Sequence, residues 1–290
     1  MKIYGNLRRA LDGVHLELGE GVFGLLGPNG AGKTSLMEIL SGGLGFEAGT
    51  IAFADGVDVA RQPREWRRRL GYMPQAFDFL PHQTGVEVLE EACLLLGLSP
   101  RAMRPRIEAL LERVNLVDAA RRDAASYSRG MKQRLGVALA LLHDPQLLLM
   151  DEPTAGLDPE ERVFFRDLLA ELAPGRVTIL STHIVGDVER TCARLGVIAK
   201  GRVLFTGTPA ELTARVRGKV WALPVGREAL AAWPGPGQLL GIEAAPGGAV
   251  ARVLAASPPG ASARPVEATL EDAYMGAIGE AGETWAEAAG

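Results

Sequence analysis

Gly27-Pro28-Asn29-Gly30-Ala31-Gly32-Lys33-Thr34 is the stretch on which the reading of this chain turns. It satisfies the pattern G-x-x-x-x-G-K-[ST]. Before it runs Val22-Phe23-Gly24-Leu25-Leu26, a continuous apolar segment suited to a buried strand, and a helix is predicted to begin near Lys33. Strand, glycine-rich turn and helix are the context the pattern needs. A triphosphate demands dense positive potential without bulk. Glycines let backbone N–H groups curl around the β-phosphate, and the N-terminus of the following helix points at the anion. In that arrangement Lys33 bridges the β- and γ-phosphates, the Thr34 hydroxyl holds Mg²⁺, and Ser35 extends the nucleotide-binding segment.

A second signal lies farther along. Leu147-Leu148-Leu149-Met150 reads as a buried strand ending in Asp151-Glu152-Pro153. An Asp at the carboxyl end of a parallel strand beside a phosphate loop reaches Mg²⁺ through water, and the Glu after it orients or deprotonates an attacking water. Asp151 is the metal candidate and Glu152 the catalytic one.

The remaining pattern surrounds these two. Val14 to Leu18 alternates like a half-buried strand, and Thr50-Ile51-Ala52-Phe53 with Asp55-Gly56 reads as a strand entering a hairpin or loop. From about Glu87 to Leu142 the spacing becomes helical, with Val88, Leu89, Cys93 and Leu96 recurring at three- and four-residue steps and Pro100 breaking the run. Pro159 to Ala173 predicts a helix, Val177 to Leu180 a strand, and Val197 to Ala199 with Val203 to Phe205 a hairpin across Lys200-Gly201. Strands alternating with helices imply a parallel sheet. Past residue 217 the composition shifts. Gly and Pro make up 14 of the 42 residues from Pro224 to Pro265, yet Val220 to Leu223 and Val250 to Leu254 stay apolar, so a small folded appendage is expected. The last ten residues are expected to be loose.

Composition narrows the function. The chain has 290 residues, is 47% apolar and carries a formal net charge of −4, so no global positive field draws it to nucleic acid or anionic lipid. Cys93 and Cys192 stand far apart without a Cys-x-x-Cys partner, which excludes a disulfide framework and a zinc cluster. No apolar stretch approaches the roughly 18 residues that span a bilayer, and the start runs straight into Arg8 and Arg9, so the chain is expected to be neither secreted nor transmembrane.

Further motifs, in fixed order, resemble the ATP-binding subunits of ABC transporters. Tyr127-Ser128-Arg129-Gly130-Met131-Lys132-Gln133-Arg134 resembles the family signature LSGGQ-x-QR, with Arg129 and Met131 departing from it. This variant is most similar to the type-2 exporters of drugs, polysaccharides and sodium. The resemblance implies that Ser128 and Gly130 cap the γ-phosphate held by the other subunit of a dimer. It also implies that Gln75, in Tyr72-Met73-Pro74-Gln75, is a Mg²⁺ and water ligand, that Asp158, in Gly156-Leu157-Asp158, crosses the dimer interface, and that His183, in Ser181-Thr182-His183, contacts the γ-phosphate. Tyr4 resembles the aromatic that stacks on adenine. Thr269-Leu270-Glu271-Asp272-Ala273-Tyr274 resembles the ending of type-2 exporter ATPases.

By this resemblance the fold is α/β: a P-loop NTPase core with a parallel sheet, an N-terminal antiparallel β subdomain, a helical insertion at about 77–145, and a small C-terminal α+β appendage. Residues 1–217 form the ATPase domain and 218–290 an accessory domain. The implied activity is ATP hydrolysis with ATP and Mg²⁺ bound. The implied partners are a second copy stacked head to tail and separate transmembrane permease subunits that dock in a groove lined by Phe77, Asp78, Phe79 and Leu80, with no nucleic acid. The implied location is cytoplasmic, peripheral on the inner face of the cell membrane. An ABC-type ATPase acting on ribosomes or DNA is the alternative, disfavoured by the single core and the absence of sustained heptads. A small-molecule kinase or GTPase would leave the signature and His183 unexplained.

Overall fold

A computed structural model describes residues 1–5, 9–226, 235–245 and 248–282. The chain opens with two short strands, β1 (Lys2–Ile3) and β2 (Arg9–Leu11), paired antiparallel. β3 (Gly21–Leu26) is the apolar run before the phosphate loop, buried at every position after the first. α1 (Lys33–Leu40) follows the loop and stops at Ser41, with Gly42 at a φ of 72° immediately after, the left-handed exit that ends a helix. Next come α2 (Pro63–Arg68), started by proline, and β4 (Leu70–Met73).

The predicted helical insertion holds three α-helices, with two short 3-10 turns between the second and third. α3 (Gly85–Leu95) begins at a capping box in which Thr84 and Glu87 satisfy each other's backbone N–H. Pro100 breaks the run as predicted: α3 ends at Leu95, and Pro100 takes the first position of α4 (Pro100–Arg113), where its missing N–H costs nothing. α5 (Arg129–Leu141) returns to the core. Val88, Leu89 and Cys93 are buried, but Leu96 is 45% exposed, because it caps α3 rather than facing the neighbouring helices.

Strand and helix then alternate through β5 (Leu147–Asp151), α6 (Pro159–Leu172), β6 (Val177–Thr182), α7 (Val185–Thr191), β7 (Arg194–Ala199), β8 (Arg202–Gly207) and α8 (Pro209–Ala214). The six-stranded sheet runs β4-β5-β6-β3-β7-β8, parallel throughout except for the β7–β8 hairpin. β3 and β5 therefore flank β6. The phosphate loop and the acidic pair leave the carboxyl edge of the sheet one strand apart, where ligands of open α/β sheets bind.

Two expected strands do not form. Val14, Leu16 and Leu18 are half-buried and pack on the core that contains Phe23 and Leu25, as their alternation predicts, but among the described residues no ladder partner lies beside them. Thr50 to Phe53 is reduced to a bridge between Ala52 and Asp58 around a tight turn at Gly56. In both cases period-2 burial reflects packing on one face, which does not require a paired strand.

The C-terminal segment carries β9 (Val220–Val225), β10 (Gln238–Ala245), β11 (Gly248–Leu254) and β12 (Arg264–Pro265) in an antiparallel sheet ordered β10-β11-β9-β12, then α9 (Leu270–Glu280). α9 lies between this sheet and the main body, packing on α7, α8, β7 and β8 as well as on β10 and β11. Leu270, Ala273, Tyr274 and Ile278 share one buried cluster with Val188, Leu195 and Phe205. The predicted loose terminus falls, from residue 283 on, outside the described residues, as does part of the Gly/Pro-rich stretch.

Candidate functional site

The phosphate loop takes its shape from backbone demands. Gly32 has a φ of 105°, and a β-carbon there would stand 2.5 Å from the Ala10 carbonyl oxygen. One on Gly27 would stand 2.2 Å from the Ile198 carbonyl oxygen. Only glycine lets the loop pass between β2 and the end of β7. Ala31 is buried beneath the loop and its N–H donates to the Pro28 carbonyl at 3.2 Å. Lys33 is folded into the loop, 4% exposed, and its Nζ donates to the carbonyls of Gly27 (2.7 Å) and Pro28 (3.0 Å). Burial pulls the Lys33 ammonium below the usual lysine range, and Glu152, 3.5 Å away through Oε1, pulls the other way.

At the end of β5, Asp151 is fully buried. Its Oδ1 accepts from the Ser181 hydroxyl of β6, while Oδ2 has no hydrogen-bond partner. Burial raises the Asp151 carboxyl above the usual range, against the Ser181 and Thr34 hydroxyls, which lower it. Glu152 turns through a φ of 49°, its N–H donating to the Ser181 carbonyl at 3.0 Å. That turn brings its carboxylate back over the loop. Gln75 Nε2 donates to Glu152 Oε2 at 3.4 Å, and His183 Nδ1 stands 3.2 Å from the same oxygen without hydrogen-bonding alignment. Lys33, Gln75 and His183, carried by three different elements, thus meet at one carboxylate.

Lys33, Gln75 and Glu152 edge a cavity of about 460 Å³, whereas Asp151 and His183 do not line it. Asn29, Gly30, Thr34 and Ser35 line its floor, and Tyr4 stands at the rim, 39% exposed, with its hydroxyl 3.1 Å from Ser35 Oγ. The donor set fits magnesium. The Thr34 hydroxyl, the Asp151 carboxylate and the Gln75 amide are hard oxygen donors, and the unpartnered buried Oδ2 of Asp151 is the atom a cation would satisfy. Among the described residues there is no cluster of three or more His, Cys, Asp or Glu that would make an all-protein metal cage, in keeping with a cation that relies on phosphate and water for its other ligands. Sequence reasoning missed Arg9 and Lys200, which also line the cavity, and Ser181 as the partner of Asp151. Lys200 and Gly201 were legible only as a hairpin turn. Their position on the phosphate loop, with Gly201 N–H donating to the Ala31 carbonyl at 2.9 Å, comes from tertiary packing.

The signature residues are elsewhere. Ser128 caps α5 by accepting from the Met131 N–H at 3.2 Å. Gly130 is pressed against Glu161, which in turn accepts from Arg134 at 3.1 Å. The Arg129 guanidinium lies over Gly156, so within this chain it touches the turn that leads into α6. Asp158 caps α6 through the Glu161 N–H at 2.9 Å. Neither Ser128 nor Gly130 nor Asp158 lines the cavity. A separate apolar hollow of about 360 Å³ is bordered by Phe77, Asp78, Phe79 and Leu80 together with Leu95, which is 83% exposed.

Comparison with known proteins agrees with this geometry. The ABC transporter family matches residues 11–155. The daunorubicin resistance ATP-binding protein DrrA2 of Streptomyces coeruleorubidus is 42% identical over 219 residues, covering 75% of this chain and 67% of the relative. The Nod factor export ATP-binding protein I of Paraburkholderia xenovorans is 40% identical over 73% of this chain and 70% of its own length. Among solved structures, cbiO1 from Clostridium perfringens, part of the ABC transporter complex cbiONQ, superposes with a TM-score of 0.64 at 27% identity, covering 73% of this chain and 86% of that one. With its phosphate loop, sheet order and relatives all in agreement, the chain belongs to the ABC transporter family, as an ATP-binding subunit that hydrolyses ATP to power a transporter.

Proposed function

We propose that this subunit drives an exporter by closing, head to tail, on a second copy of itself around two ATP molecules, while bound to separate membrane-spanning subunits. Relatives named for drug resistance and Nod factor export support the direction of transport. Residues 1–217 act as the ATPase domain and 218–290 as an accessory domain. Among the described residues no helix is long and apolar enough to cross a membrane, so the chain works beside its membrane partners, on the inner face where ATP is supplied. The hollow at Phe77 to Leu80 is the surface offered to them.

The observation that carries the reading is the meeting of Lys33, Gln75 and His183 on Glu152, beside the unpartnered oxygen of Asp151. When a triphosphate enters, Lys33 exchanges the Gly27 and Pro28 carbonyls for β- and γ-phosphate oxygens, which releases Glu152 from its ion pair. Glu152 then takes the proton of the attacking water, Gln75 and His183 fix the position of that water and of the γ-phosphate, and Tyr4 covers the adenine. Thr34, Asp151 and Gln75 would hold magnesium, which would supply charge neutralisation for the triphosphate. Ser128 and Gly130, absent from their own chain's cavity, complete the site of the partner, and Asp158 lies between the two sites.

Replacing Glu152 with Gln tests this. Turnover should fall by about 10²- to 10⁴-fold, the usual worth of a general base. ATP binding should survive, and an ATP-bound dimer should accumulate on size-exclusion chromatography. A variant that hydrolysed ATP at the wild-type rate would remove Glu152 from its role.

A further inference from the structure

Lys200 is the point at which the C-terminal appendage meets the cavity. Lys200 and Gly201, with φ values of 47° and 75°, make the two-residue turn between β7 and β8, a geometry that suits the right-handed twist of the hairpin. On one side this turn is fastened to the nucleotide-binding face. The Gly201 N–H donates to the Ala31 carbonyl at 2.9 Å, the Gly201 carbonyl accepts from the Asp12 N–H at 2.8 Å, and Lys200 lines the cavity. On the other side the Lys200 ammonium donates to the carbonyls of Ala281 (3.0 Å) and Gly282 (2.9 Å), which follow the last turn of α9. Carbonyls at a helix C-terminus lack intrahelical partners and carry the negative end of the helix dipole, so a lysine is the side chain they attract. α9 is in turn tied to the appendage sheet: Gln238 Nε2 donates to the Met275 carbonyl at 2.6 Å, and Arg252 pairs with Asp272 at 2.6 Å.

We propose that Lys200 is a nucleotide-positioning residue set by α9, so that the appendage tunes ATP affinity through it. The proposal rests on the reading of the cavity as the ATP site. With α9 seated, the two carbonyls fix the side chain of Lys200, a residue that lines the cavity, and its positive charge favours the anionic nucleotide there. With α9 displaced, the ammonium is no longer fixed there and the affinity falls.

Binding of the non-hydrolysable analogue AMP-PNP with Mg²⁺ to the full chain, followed by calorimetry, tests this in a double-mutant cycle. Lys200→Met should weaken binding about five-fold, the scale of one exposed charge interaction, and Lys200→Arg should restore it to within about two-fold. Gln238→Met, which loosens α9 far from the cavity, should weaken binding in the wild-type background and have no effect in Lys200→Met. Arg252→Met should reproduce that result should Gln238→Met fail to fold. Unchanged affinity in Lys200→Met, or effects that simply add, would overturn the proposal while leaving the ATP site intact. A wild-type chain that bound no AMP-PNP would bring down the site and the proposal together.

Discussion

At the scale of single residues, the proposed site shows stability given up for function. Asp151 is buried with one oxygen unpartnered, and burial raises its carboxyl pKa, so folding works against the charged form. A carboxylate raised on folding costs stability once the pH is above the ordinary value of 3.8, and the cost is complete above the folded value. At neutral pH in the absence of magnesium, Asp151→Asn should therefore melt at or above the wild-type temperature. It should gain less than wild type when Mg²⁺ and ATP are added, and its ATPase rate should drop by about a hundred-fold or more. Thermal melts with and without Mg²⁺, paired with phosphate release, would check both halves, and a variant that melted lower yet hydrolysed normally would contradict them. The sequence disclosed Asp151 and Glu152 because a strand end beside a phosphate loop defines a place in advance. It could not disclose Ser181 as the partner of Asp151, because that bond depends on β6 lying next to β5, a matter of sheet order rather than of local pattern.

At the scale of elements, the most instructive case is Thr269 to Tyr274, which the resemblance placed at the end of exporter ATPases and whose structural work is specific. Thr269 and Asp272 form a capping box that starts α9, and Asp272, 3% exposed, also receives two hydrogen bonds from Arg252 of β11. One side chain therefore both begins the helix and fixes it to the sheet. Burial alone would raise the Asp272 carboxyl, but Arg252 and the Thr269 N–H and hydroxyl together hold it below the usual 3.8. A carboxylate lowered on folding contributes stability that is present above 3.8 and is lost as the pH falls through the folded value. Arg252→Met should cost about 2 to 3 kcal/mol at pH 7, since it strands a buried carboxylate, though Arg252 itself is only half-buried. The gap between variant and wild type should close as the pH drops below 3.8, which urea titrations at pH 7 and pH 3 would measure. Other elements were legible in proportion to how local their cause is. α6, introduced by Pro159 after the capping Asp158, and the β7–β8 hairpin declared themselves through caps and turns. Val14 to Leu18 and Thr50 to Phe53 did not become strands, because pairing requires a neighbour that no alternation within a segment can supply.

At the scale of the whole molecule, the position of the signature forces a choice about how many chains make one site. Ser128 sits at the N-cap of α5, exposed and outside the cavity that holds Lys33 and Glu152, so within the described residues of one chain the signature does not face the phosphate loop. A head-to-tail pair satisfies both surfaces with one symmetry operation, because each copy offers the same two patches. Two disabled variants can test the pairing. Lys33→Met removes the cation of the phosphate loop. Ser128→Asp keeps a good N-cap but sets a negative charge against the γ-phosphate. Each alone should be nearly inactive, since every site in either homodimer carries the defect. Mixed in equal amounts and allowed to exchange, half the dimers should be heterodimers, in which one site collects both defects and the other is intact. If the two sites act independently, activity should return to about a quarter of the wild-type level. Were the signature to act within its own chain, every site in the mixture would remain defective and no activity would return, so the ATPase rate of the mixture decides between one chain and two.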